Sequence, residues 1–109
     1  MPFERDYLTT EPARQEIDAI PGPALLEFGT TWCEFCRAIQ GPLESLLTEF
    51  PQVSHVKIED GKGRLLGRSF HVKLWPNFVF LRDGRVVGQV ARPTIDEVRR
   101  GLDEITRDG

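Results

Sequence analysis

The order of apolar runs, helical periodicities and turn signals predicts an α/β fold: a mixed central β-sheet flanked by helices on both faces. Three observations carry this. Two short apolar runs, Ala24 to Phe28 and Val53 to Ile58, are separated by a helical stretch, as parallel strands joined by a crossover require. Asp83-Gly84 joins two further strand-like runs as a hairpin, which adds antiparallel strands. Thr94-x-x-Glu97 is a capping box that opens a last helix. At 109 residues the chain fits one domain, residues 1–109, large enough for a single core.

Thr10 can cap a first helix reaching Ile20, with Glu11 and Pro12 in its first turn and Pro21-Gly22-Pro23 ending it. Ala24 to Phe28 is apolar except for Glu27, as expected of a strand covered on both faces. After Gly29-Thr30-Thr31 comes a helix in which Ile39, Leu43, Leu46, Leu47 and Phe50 recur at three- and four-residue spacing and mark a buried face. Pro42 falls inside it and predicts a kink. Val53 to Ile58 reads as the second strand, and a loop from Glu59 leads to a short helix over 64–70, weakened by Gly67. Strands over 77–82 and 85–90 flank the Asp83-Gly84 turn, and Ile95, Val98, Leu102 and Ile105 form the inner face of a final helix to Thr106. Phe70 and Phe78 are expected in the core.

The chemistry-bearing motif is Trp32-Cys33-Glu34-Phe35-Cys36, which holds the only two cysteines and sits between an apolar strand and a helix. A helix start leaves backbone N–H groups unpaired and carries partial positive charge, so a cysteine there has its thiolate stabilised. Cys33 is the candidate nucleophile. Cys36, one turn on, lies on the same side and can attack a mixed disulfide formed at Cys33. Half a zinc site and a purely structural pair are the competing readings. A structural zinc takes four ligands, and neither His55 nor His71 has a partner at ligand spacing, so the dithiol is preferred and no metal is expected.

Composition narrows the partners. The 14 basic and 17 acidic side chains are scattered rather than gathered in a stripe, which argues against nucleic acid. The first residues lack the apolar core of a signal peptide, and no apolar run approaches bilayer length, so a cytoplasmic protein without a membrane partner is expected. A chain trimmed of its signal would read the same, which leaves an export pathway open. In a reducing compartment the dithiol would be the resting state, as suits a reductant.

The element order, the dithiol at the start of the second helix and Trp75-Pro76 just before the hairpin together resemble the thioredoxin family over residues 8 to 107. The Trp before the first Cys, the N-terminal helix and the Asp83-Gly84 turn favour thioredoxin or a thioredoxin-like relative over glutaredoxin. The resemblance implies the thioredoxin fold, with Cys33 attacking a substrate disulfide and Cys36 resolving it. Pro76 matches the cis-proline facing the dithiol, although a trans proline at a strand's first residue is the ordinary alternative. Trp75 would offer backbone groups to an extended substrate, as an added strand does. Glu27 stands where the family carries a buried acid that takes the proton Cys36 loses, or else turns to solvent. Lys57 resembles the lysine paired with that acid, or is a surface lysine at a strand end. Trp32, Phe35, Trp75 and Ala91 would form an apolar apron for docking polypeptide.

Several positions depart from the family pattern. Glu34-Phe35 replaces the usual Gly-Pro between the cysteines and sets an anionic side chain beside the nucleophile. The helix proline comes one residue later than usual, behind Gly41, which suggests a local bulge. Glu27 replaces the commoner Asp, Trp75 is bulkier than the usual residue before the proline, and Ala91 in place of Gly would narrow the groove. These changes suggest a restricted client set. The resemblance implies a monomeric protein-disulfide reductase with no cofactor beyond its redox-active Cys33–Cys36 disulfide. Its partners would be client proteins with disulfides and a thioredoxin reductase or comparable electron donor. A binding or chaperone-like module with a redox-switch dithiol is the alternative, and an export-pathway oxidase or isomerase a third.

Overall fold

The structure, a computed structural model, describes residues 3–107. Its elements are α1 (Arg14–Asp18), β1 (Pro23–Gly29), α2 (Glu34–Leu47), β2 (Ser54–Glu59), α3 (Leu65–Ser69), β3 (Asn77–Arg82), β4 (Arg85–Ala91) and α4 (Ile95–Thr106). The four strands form one sheet in the order β2-β1-β3-β4, with β1 and β2 parallel and the other pairs antiparallel. This is the mixed sheet expected from a crossover followed by a hairpin.

Alternation along the strands sends side chains to two cores. Leu25, Phe78 and Phe80 face α2 and α4, meeting Ile39, Leu43, Leu47, Val98, Leu102 and Ile105. Ala24, Leu26, Phe28, Val79 and Leu81 face the other way, toward Ile17 of α1 and Leu66 of α3. Because the side-chain period of a strand is two, Glu27 shares the α2 side with Leu25.

The hairpin turn places Asp83 and Gly84 at φ 51° and 79°, the two positive values a type I′ turn needs. The Thr94 hydroxyl accepts from the Glu97 N–H at 3.2 Å, and Glu97 Oε1 accepts from the Thr94 N–H at 2.9 Å, completing the capping box of α4. One expectation changes. The first helix spans only Arg14–Asp18, because the Glu11 carboxylate accepts from Leu65 N–H and Leu66 N–H at 3.0 and 3.1 Å, capping α3. Pro12 also biases Glu11 away from helical backbone. In addition, α2 runs unbroken from Glu34 to Leu47 through Pro42. The proline forfeits one intrahelical bond, while the helix stays anchored by Ile39, Leu43 and Leu46 beneath the sheet.

Candidate active site

Cys33 is the N-cap of α2, and its sulfur accepts from the Cys36 N–H at 3.3 Å. The β1 strand delivers the chain to this point, and the start of α2 aims its free N–H groups at the first sulfur, as an anion-stabilising helix end does. Both thiols are free. Cys33 keeps 8% of its surface and Cys36 none, so the pair has an outer and an inner sulfur.

The outer sulfur lines a cleft of about 440 Å³ with Trp32, Glu34, Phe35, Trp75 and Arg92. Trp32 and Phe35 are 71% and 57% exposed, so the apolar apron is open to a partner. The Trp32 and Trp75 rings meet edge to face at 5.4 Å, and the Trp75 indole donates to Asp60 Oδ2 at 2.8 Å, which fixes that wall. The Trp75-Pro76 bond is cis.

Arg92, a residue the sequence reading passed over, does more in this cleft than Ala91. Its guanidinium lies 4.4 Å from the Phe35 ring centroid, its Nε donates to the Trp75 carbonyl at 2.9 Å, and its N–H donates to the Pro76 carbonyl at 2.8 Å. Arg92 also takes the left-handed backbone conformation, φ 49°, which favours glycine. Ala91 is instead the last residue of β4, paired with Asn77, and does not line the cleft. The narrowing expected of Ala91 is corrected accordingly: the side chain that fills this wall belongs to Arg92.

The inner sulfur faces a buried polar network. Glu27 is fully buried and does not turn to solvent. Its Oε1 meets His55 Nε2 at 2.8 Å, and its Oε2 accepts from Gln40 Nε2 at 2.8 Å. The Glu4 N–H donates to His55 Nδ1 at 2.8 Å, so Nδ1 must be the acceptor nitrogen and Nε2 carries the proton given to Glu27. Lys57 is buried rather than a surface lysine, but it does not pair with Glu27 directly. Its Nζ donates to Gln40 Oε1 at 2.6 Å and to the Arg5 carbonyl at 2.7 Å, so Gln40 stands between the two charges. The reason is register: Glu27 and Lys57 are opposite neighbours on β1 and β2, and the longer Glu reaches past toward His55. Burial pulls the Lys57 ammonium below its usual range, with the Glu27 charge opposing.

Burial, reinforced by the hydrogen bond with Cys33, pushes the Cys36 thiol up to about 12. Cys36 also borders a second, smaller cavity of about 200 Å³ with Tyr7, Gln40 and Lys57. Tyr7, Gln40 and His55 were not expected at the site. His55 could have been suspected from its two-residue spacing to Lys57 on one strand face. Tyr7 and Gln40 carry no such local signal. Among the described residues, no three His, Cys, Asp or Glu side chains gather as a metal ion would require. Nor is any helix long and apolar enough to cross a membrane.

The thioredoxin family model matches residues 6–104. The reduced-form structure of thioredoxin 2 from Pseudomonas aeruginosa PAO1 is 48% identical, with a TM-score of 0.83 over 95% of this chain and 97% of that one. Thioredoxin H8 of Arabidopsis thaliana is 30% identical over 76% of this chain and 56% of its own length. An H-type thioredoxin of Picea mariana is 29% identical over 69% of this chain and 60% of its own length. The chain thus spans less than two thirds of these plant relatives. Oxidised mitochondrial thioredoxin 3 of Saccharomyces cerevisiae, at 24% identity and a TM-score of 0.75 over 84% of this chain and 85% of that one, shares the fold.

Proposed function

The chain belongs to the thioredoxin family, and from that premise we propose that it is a thiol–disulfide oxidoreductase acting as a protein-disulfide reductase. The observation that carries the reading is the division of labour between the sulfurs, one at the helix start in an open cleft and one buried beside a carboxylate network. The Cys33 thiolate attacks a client disulfide, forming a mixed disulfide and releasing the client's other sulfur. Cys36 then loses its proton and attacks Cys33, so that the client leaves reduced and a Cys33–Cys36 disulfide remains. Glu27 takes the proton-accepting role, supported by Gln40, whose Nε2 donates both to Glu27 and to the Cys36 carbonyl. Trp32, Phe35, Trp75 and Pro76 dock the client, and Glu34 adds a negative charge at the cleft's rim.

On this reading the protein needs no bound cofactor, works as a monomer in a reducing compartment such as the cytoplasm, and is recharged by a thioredoxin reductase or comparable donor. Dithiothreitol-driven insulin reduction, followed by turbidity, tests it. Acceleration over the protein-free control at micromolar protein is expected. No acceleration would favour a binding module with a redox-switch dithiol. A measured potential near that of strong oxidants would select an export-pathway oxidase or isomerase instead. Cys36→Ser is expected to hold clients covalently on Cys33, and their identities name the substrates.

A further inference from the structure

Resolution requires a thiolate to appear on Cys36, the sulfur least able to be solvated. The segment before α1 bears on this directly. Leu8 N–H donates to the Lys57 carbonyl at 2.8 Å and Glu59 N–H donates to the Leu8 carbonyl at 3.1 Å, which pins the segment along the outer edge of β2. That pinning turns Tyr7 inward beside the dithiol. Its hydroxyl is buried and makes no regular hydrogen bond among the described residues. A buried hydroxyl left unpaired is costly, and few are retained without a use. A β-carbon at Gly29 would lie 2.6 Å from Cys36 Sγ and 3.0 Å from Tyr7 Oη, so the absent side chain lets the thiol and the hydroxyl both close in on this one backbone position. Both also line the 200 Å³ cavity.

We propose that the Tyr7 hydroxyl is the donor that receives the Cys36 thiolate during client release. The inference rests on the thiol–disulfide exchange reading above and assigns that reaction a residue beyond the dithiol and its acid. While Cys36 is a neutral thiol, the hydroxyl has only a weak acceptor in front of it. Once the proton has passed to Glu27, the sulfur is an anion with none of its own surface exposed, and an O–H turned toward it becomes a charge-assisted bond. Tyr7 keeps its own proton throughout: burial, with the charges of Glu27 and Cys36, holds it far above the usual tyrosine range. The Cys36 lone pair forms the bond to Cys33 Sγ, and the electrons of the Cys33–client bond leave with the client sulfur. The Lys57 ammonium, 4.5 Å from the Tyr7 ring centroid, holds the ring in place. The other charged groups lining the cavity are Arg37, and Arg5 and Asp6 of the same segment; the charges of Glu27, which is bonded to His55, and of Cys33 also act on Tyr7.

Mixing the reduced protein with Ellman's reagent separates the steps. Attack by Cys33 releases one thionitrobenzoate, and attack by Cys36 on the resulting mixed disulfide releases the second. Tyr7→Phe keeps the ring and removes only the hydroxyl. It is expected to slow the second release about tenfold, to move that step's pH midpoint upward, and to leave the first release unchanged. A second release at the unaltered rate with an unmoved midpoint would overturn the assignment. If the unaltered protein itself gives no second release, thiol–disulfide exchange fails and the role of Tyr7 falls with it.

Discussion

The two sulfurs of one five-residue motif live in opposite surroundings. Around Cys33 the protein is open, with Trp32 and Phe35 largely exposed, and the cleft is lined by the motif, residues 73–75 and Arg92. Around Cys36 it is closed and polar, and the partners arrive from four segments: Tyr7 and Arg5, Glu27, Gln40, and His55 with Lys57. The difference follows from what each atom must do. A nucleophile needs access for a polypeptide, whereas a resolving thiol needs somewhere to send a proton and something to steady the charge left behind.

The largest test of this contrast is removal of the outer sulfur. Cys33→Ser is expected to reduce insulin reduction to the protein-free level, and retained turnover would abolish the distinction between the two thiols. Next in size is the closed side. Glu27→Ala leaves the His55 Nε2–H unpaired and takes from Gln40 Nε2 one of its two acceptors, the Cys36 carbonyl remaining, and at about 1–3 kcal/mol for each unsatisfied group it is expected to cost about 2 kcal/mol or more in urea unfolding. A loss below 1 kcal/mol would show that the network is not the structural unit described.

A smaller effect depends on pH. The folded state holds the Cys36 proton up to about 12 against an ordinary value of 9.0. Between these values the unfolded chain binds fewer protons, so this group's contribution to stability falls as pH rises. The urea midpoint of the reduced protein is expected to drop more steeply above pH 9 than that of Cys36→Ser; parallel curves would contradict the burial argument. Smallest is Trp32→Ala. With 71% of the side chain already in water, stability is expected to change by less than about 0.5 kcal/mol, while KM for insulin rises a few-fold. An unchanged KM would remove Trp32 from the docking surface.

The same contrast explains what could be read from the chain. The hairpin at Asp83-Gly84, the Thr94–Glu97 capping box and the α2 stripe of Ile39, Leu43 and Leu46 are local signals, and each stands where its spacing placed it. The helix expected from Thr10 shortened because Glu11 found distant backbone donors at Leu65 and Leu66. Cys33 and Cys36 announced themselves by position relative to a strand and a helix. Glu27 and Lys57 were visible by resemblance, but Gln40 between them was not, since a polar residue on a helix ordinarily faces water. Arg92 took the wall assigned to Ala91 because backbone conformation, which no local pattern displays, turns the chain there.

The strap formed by residues 3–8 also sets an order of assembly. Glu4 and His55 are 51 positions apart, and Arg5 and Lys57 are 52 apart. Contacts of such range cannot form until the chain between them has been made. On a ribosome, both cysteines therefore emerge before β2 can bring the strap into place. A nascent chain carries a reactive pair whose inner member lacks its partners, and only the finished molecule governs both.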